Sequence, residues 1–166
     1  MLMVMLVPVT GIDRLWLMVP VVAVTVTDPL LLERVLRWET RVIQVRELPG
    51  GASIGYGRTY RTQDPARIAV IPVGYADGYP HALSNRGYVL IRGKRCPVRG
   101  SVCMDQTMVE VTHLPEVRQG DPVTLIGVDG PDQITAEELA RWAGTIPYVI
   151  LTGIGSRVER VYIGEP

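Results

Sequence analysis

The sequence contains no phenylalanine, two cysteines, two histidines and, among 17 basic residues, a single lysine, Lys94. Each shortage excludes something. Cys96 and Cys103 are too few for a disulfide framework and lack the paired spacing of a zinc site, so no metal is expected. Reduced thiols in a cytoplasmic protein are a better reading than a bridge between them. His81 and His113 sit in turn-like text, no Ser-His-Asp set assembles around them, and there is no His-Glu-x-x-His and no flanked Gly-rich phosphate loop. The 17 basic residues are matched by 17 acidic ones, so the basic excess of a nucleic-acid binder is missing. Three scattered tryptophans without phenylalanine make a base-stacking surface a poor expectation. Lysine chemistry has one candidate, and Lys94 lies in Arg92-Gly93-Lys94-Arg95, a charged hairpin tip where nothing would activate the amine or seat a phosphate.

What is present fits one soluble domain: 166 residues, 47% hydrophobic and 20% charged, enough to bury a core. Residues 1–30 stand apart as an apolar leader. No positive charge precedes Arg14, which argues against a signal peptide, and Leu15 to Thr27 is short of a membrane span and contains Pro20. Buried strands or a poorly ordered leader is the reading preferred over a membrane anchor. Asp28-Pro29 marks a turn, and residues 31–166 form the domain proper.

From Thr40 onward the text is mainly β. Strands are expected over Thr40 to Leu48, Arg67 to Tyr75, Tyr88 to Arg92 with a return through Cys96 and Val98, Val102 to Val111, Pro122 to Val128, Tyr148 to Leu151 and Arg157 to Ile163. Their short, regular spacing predicts a Greek-key-like β-barrel. One short α-helix interrupts it near 135–144: Thr135 is an N-cap, Glu138 completes a capping box, Ile134 and Leu139 form a staple, and Gly144 stops the helix.

Two tyrosine-rich segments draw attention, Gly55-Tyr56-Gly57-Arg58-Thr59-Tyr60 and Gly74-Tyr75-Ala76-Asp77-Gly78-Tyr79. Flanking glycines permit close backbone approach and expose the phenol. A tyrosine, with a reference pKa of about 10, serves as acid or base only where a neighbour lowers it. From composition alone, packing in the core or at a barrel mouth is the preferred role. Asp77 and Asp105 read equally well as buried carboxylates that hold turns.

These segments resemble a known family. "SIGYGRTYRT", "VIPVGYADGYPHALSNRGYVLIRGKRCPVRGSVCMDQTMVEVTHLP" and "AGTIPYVILTGIGSRVERVY" are similar, in order and spacing from about Thr40 to Tyr162, to the C-terminal β-domain of bacterial alanine racemases. The resemblance implies an isomerase that interconverts L- and D-alanine, supplies D-alanine for peptidoglycan, and carries pyridoxal 5'-phosphate on a lysine of a separate (β/α)8 barrel. It implies a head-to-tail dimer in which the β-domain completes the partner subunit's site. Tyr56 would then be the catalytic acid/base on the L-alanine side, and Met104 would offer its backbone N–H to the substrate carboxylate. Tyr148 would reach the cofactor phosphate, Tyr75 would line the entrance, and Asp105 would hold the Met104 segment. The chain departs from the family at Ser101, where arginine is frequent, and at Pro147, where asparagine is usual. Further departures fall near Thr152, at Glu159 and over Leu32 to Glu39.

Because the barrel lysine is not in this sequence, the chain alone is expected to be inactive. Three readings follow: an enzyme part that works beside a cofactor-bearing barrel, a non-catalytic β-barrel interaction module, or a remnant.

Overall fold

Most of the apolar runs that read as strands pair as strands in the computed structural model, which describes residues 36–162. The leader over residues 1–30 and the end of the strand expected to reach Ile163 lie outside the described residues. The chain forms β1 (Trp38–Arg41), β2 (Gln44–Leu48), β3 (Ser53–Ile54), β4 (Tyr60–Arg61), β5 (Ala66–Ile71), β6 (Tyr88–Ile91), β7 (Lys94–Pro97), β8 (Thr107–Glu110), β9 (Pro122–Asp129) and β10 (Asp132–Ile134). Two helices follow, α1 (Ala136–Ala143) and α2 (Pro147–Gly153).

The fold is mainly β, as expected. Its ladders are antiparallel: one sheet runs β1-β9-β6-β7 with β10 added to β9, a second runs β2-β5-β8, and β3 and β4 make a separate ribbon. Among the described residues these ladders do not close into one continuous cylinder; an isolated bridge between Val98 and Val109 links the exit of β7 to β8.

The continuous apolar run in β5 has a simple cause. Ala69 and Ile71 enter the main core, whereas Ala66 and Ile68, facing the other way, pack with Ile54 of the ribbon. A strand covered on both faces loses the alternation that a half-buried strand shows. The main core gathers Val89, Leu90 and Ile91 of β6, Val123 and Leu125 of β9, and Leu139 of α1, all fully buried. The β6–β7 hairpin turns at Arg92 (φ 53°) and Gly93 (φ 71°), the paired positive φ values of a two-residue hairpin turn. Lys94 is thus the first residue of β7 and not part of the tip. It is exposed.

Helix α1 starts as its sequence predicts. The Thr135 hydroxyl accepts from the Glu138 N–H at 3.2 Å, and Gly144 closes the helix in the left-handed region. The Glu138 carboxylate does not reach back to complete the box. It accepts instead from Arg95, at 2.6 Å.

Three strand expectations are corrected. Tyr148 to Leu151 is helical, within α2: Pro147 occupies its first turn, and the preceding Ile146 is extended (φ −109°, ψ 154°), as a residue before proline must be. A four-residue apolar run cannot itself tell a buried strand from a buried helical turn. Over 157–162 no strand forms, because Arg160 donates back to the carbonyls of Ile154, Gly155 and Val158 and curls the segment. The expected strand Val102 to Val111 is reduced to β8, since Cys103 N–H bonds to Gln106 C=O and turns the chain before Thr107.

Candidate functional site

Two turns that are distant in sequence are stitched together by main chain. Tyr75 N–H donates to Cys103 C=O and Ala76 N–H donates to Met104 C=O, both at 3.0 Å. The approach is so close that a Cβ on Gly74 would lie 2.2 Å from the Cys103 oxygen. Glycine is required here by contact, since its φ of −152° suits any residue. Gly78 is constrained twice: it sits at φ 98°, and a Cβ there would lie 2.1 Å from the Gly153 oxygen at the end of α2. The Gly74–Tyr79 turn is therefore the piece against which both the Met104 turn and α2 are placed.

Carboxylates secure the arrangement. Asp77, 8% exposed, accepts from Gly74 N–H at 2.9 Å, and its own carbonyl accepts from Gly155 N–H. This matches the turn-holding role read from its sequence. Asp105 is exposed and works through Arg157, whose guanidinium lies 2.7 Å from Asp105 Oδ1 and 3.4 Å from Asp77 Oδ1. The hydrogen bond to Asp105, then the charges of Asp77 and Asp105, raise the Arg157 pKa. Arg157 was not singled out in the sequence, although it lies within the third family-like segment. Only contact between segments marks it.

The site residues named from the sequence fall into three placements. Tyr75 and Met104, 48% and 52% exposed, stand on the two stitched turns, with Asp105 beside them. Tyr75 also meets the His81 ring edge-on at a centroid distance of 6.2 Å. The Met104 carbonyl is taken by Ala76, while among the described residues its N–H has no acceptor. Tyr56 lies at the tip of the β3–β4 ribbon, in a 3-10 turn over Tyr56–Arg58, and is 77% exposed. That ring does not turn into the core. Its turn joins the Met104 loop through Ser101, whose hydroxyl donates to the Tyr56 carbonyl at 3.0 Å. Tyr148, half-buried on the first turn of α2, shares no hydrogen bond or ring contact with the Tyr56 and Met104 segments among the described residues.

Two surface depressions are also present among the described residues. A depression of about 340 Å³ beside Gly55 is lined by Gln44, Arg46, Ile68, Val70 and Met108. A larger one, about 430 Å³, lies away from these turns at Arg95, Asp132 and Glu138, but Arg95 there is committed to both carboxylates at 2.8 Å and 2.6 Å. Burial, the leading cause, pushes the Cys96 thiol up to about 12, which keeps it protonated; both cysteines are free. Among the described residues no cluster of three or more His, Cys, Asp or Glu is placed to hold a metal ion, and no helix is long and apolar enough to cross a membrane.

Comparison with known proteins bears on this geometry. The family described as "Alanine racemase, C-terminal domain" matches residues 35–162. An alanine racemase of Halothermothrix orenii is 53% identical over 131 residues, covering 79% of this chain and 35% of the relative. The chain thus spans about a third of the length of the curated relatives it matches. The crystal structure of the Bacillus anthracis alanine racemase with bound L-Ala-P superposes with a TM-score of 0.73 at 41% identity, covering 77% of this chain and 32% of that one. The Bartonella henselae alanine racemase, with covalently bound pyridoxal phosphate, gives 0.72 at 38% identity, covering 76% and 34%.

Proposed function

The chain belongs to the alanine racemase family as its C-terminal domain, and from that premise we propose that it supplies the tyrosine half of a two-sided proton relay, together with a separate barrel that carries pyridoxal phosphate. One observation carries this reading: Tyr56 is 77% exposed on a turn tied to the loop of Met104.

The residues present do not seat pyridoxal phosphate by themselves. Lys94 is exposed at the start of β7, beside an Arg95 already engaged by Asp132 and Glu138. In the family the cofactor supplies the electron sink that acidifies the α-carbon, and it comes with the barrel. This chain's share is narrower. The Tyr56 oxygen, once its own proton has been removed, takes the α-proton from the L face, and as the phenol it delivers a proton there in the reverse direction. Met104 N–H, without an acceptor among the described residues, donates to the substrate carboxylate. Tyr75 lines the outer entrance and Asp105, through Arg157, keeps the Met104 turn in place. Tyr148 contributes its hydroxyl toward the cofactor phosphate from α2. Supplying these groups from a preformed scaffold fixes the reacting geometry and excludes water. D-Alanine made this way serves cell-wall peptidoglycan, and the working assembly is a dimer in the cytoplasm.

The test is complementation. The purified chain mixed with pyridoxal phosphate is expected to give no racemisation. Co-expression with the separately encoded barrel domain of a family member is expected to convert L- to D-alanine, and Tyr56→Phe to abolish most of that conversion. If the pair binds but stays inactive, the chain is an interaction module. If it does not bind, the enzyme reading fails.

A further inference from the structure

The turn that carries Tyr56 is poorly held by its own chain. Gly55, Gly57 and Arg58 all have positive φ, at 71°, 71° and 51°. The single internal bond, Arg58 N–H to Gly55 C=O, is long at 3.4 Å, and none of its three residues is buried. Of the three residues at positive φ only Arg58 carries a Cβ into this region, and such strained backbone without an apolar anchor persists only where outside contacts determine it. Here the outside contacts form a short relay of neutral polar groups. Ser101 Oγ donates to the Tyr56 carbonyl at 3.0 Å and lies 3.4 Å from Thr59 Oγ1. Asn85 Nδ2 donates to Thr59 Oγ1 at 3.1 Å, while Asn85 Oδ1 accepts from Gly100 N–H at 2.6 Å.

The far end of this relay is fixed. Asn85 holds a left-handed φ of 59°, a conformation asparagine tolerates. Gly100 sits at φ 78° so close to β3 that a Cβ would lie 2.6 Å from the Ile54 oxygen. Ser101 also lies three residues before Met104, in the same loop. It therefore spans the two groups that the proposed chemistry needs in register.

We propose that Ser101, backed by Thr59 and Asn85, is a positioning residue that sets the reach of the Tyr56 phenol relative to Met104. The inference rests on the racemase reading for its consequence and on the tether alone for its structural content. Proton transfer tolerates little misplacement, so a loosened turn weakens the step on the L face specifically.

Two measurements separate the two parts. In the full chain alone, Ser101→Ala is expected to raise amide exchange over residues 56–59 roughly five-fold, about the loss of one net hydrogen bond, with the rest of the domain unchanged. Thr59→Val, which breaks the relay at an exposed position, should act in the same direction, and Ser101→Thr should restore slow exchange. Unchanged exchange in both disruptive variants overturns the tether. In the complex with the barrel, Ser101→Ala is expected to lower kcat about five- to ten-fold with little change in KM, and to raise the α-deuterium isotope effect for L-alanine but not for D-alanine. Equal changes in the isotope effect for both enantiomers, or a change in KM alone, overturn the positioning role. If the unsubstituted complex is inactive, the racemase reading fails while the exchange data still decide the tether.

Discussion

Arg157 reaches a carboxylate in each of two separate turns, Asp105 at 2.7 Å and Asp77 at 3.4 Å. The side chain is 55% exposed, so its ion pairs are screened and count little toward global stability. Their effect is local. Arg157→Ala is expected to lower Tm by only a few degrees, yet to accelerate exchange at Cys103 N–H, which closes the Met104 turn onto Gln106 at 2.9 Å. High salt should reproduce part of that change in the unsubstituted chain. A large loss of Tm with no selective exchange at the turn would show that Arg157 supports the whole domain instead.

The contacts of Gly74 lead to a sharper expectation. Its missing Cβ leaves room for two carbonyls, at 2.2 Å and 2.3 Å from where that atom would be, and both belong to backbone already fixed by hydrogen bonds. Gly74→Ala should therefore destabilise by about 2–4 kcal/mol, as overpacking that no rotamer change relieves. Gly51 is the matched control: it has φ 82° but open space around a Cβ, so Gly51→Ala should cost only about 1 kcal/mol, the backbone strain alone. Chemical denaturation of both variants separates contact from conformation. Similar losses for the two would refute the distinction.

What the sequence made legible follows from the range of the interactions. Thr135 and Gly144 bracket α1 because capping is a local affair, settled within four residues. The β6–β7 hairpin was legible for the same reason, although its tip falls one residue earlier than the reading from Gly93-Lys94. Helix α2 was not legible: Pro147 begins it, but Tyr148 to Leu151 has no periodicity long enough to oppose a strand. At the site, local rules drew attention to the Tyr56 and Tyr75 segments and to Asp105, but the roles of Tyr56, Tyr75, Met104, Asp105 and Tyr148 came through family resemblance. Arg157 and Ser101 act across 52 and 45 residues, to Asp105 and to Tyr56, and no spacing pattern announces such partners.

Acid sensitivity should centre on Asp121. The Arg92 guanidinium donates to it from Nε and Nη2 at 2.9 and 3.2 Å, and Arg118 N–H adds a third bond at 3.1 Å. The Arg92 hydrogen bond, followed by the Arg118 amide and the two positive charges, outweighs desolvation and holds the carboxyl below its ordinary value. A folded pKa below the unfolded one contributes stability that is complete above about pH 4 and is lost as pH falls through the depressed value. Asp121→Asn should accordingly be less stable than the unsubstituted chain at pH 7, with the gap closing below pH 4. Asp132, lowered in the same direction by Arg95, leaves some acid dependence in the variant. Thermal melts across this range check the sign; a gap that widens on acidification would reverse it.

Tyr79 makes the opposite case, a polar group the fold would do better without. It is fully buried, its ring meets Trp38 edge-on at 6.0 Å, and among the described residues its hydroxyl has no hydrogen-bond partner. Burial alone raises its pKa. An unsatisfied buried hydroxyl costs about 1–3 kcal/mol in desolvation, whereas the ring's packing does not depend on that oxygen. A Cβ built on Gly87 would lie 3.4 Å from the Tyr79 hydroxyl, an ordinary contact distance. Tyr79→Phe, the first phenylalanine in this sequence, is therefore expected to leave stability unchanged or to raise it by up to about 1 kcal/mol, while Tyr79→Leu, which loses the edge-on contact with Trp38, should lower it. Urea midpoints at constant slope decide between these outcomes, and a clear loss in the Phe variant would mean that the hydroxyl is satisfied in solution by a buried water.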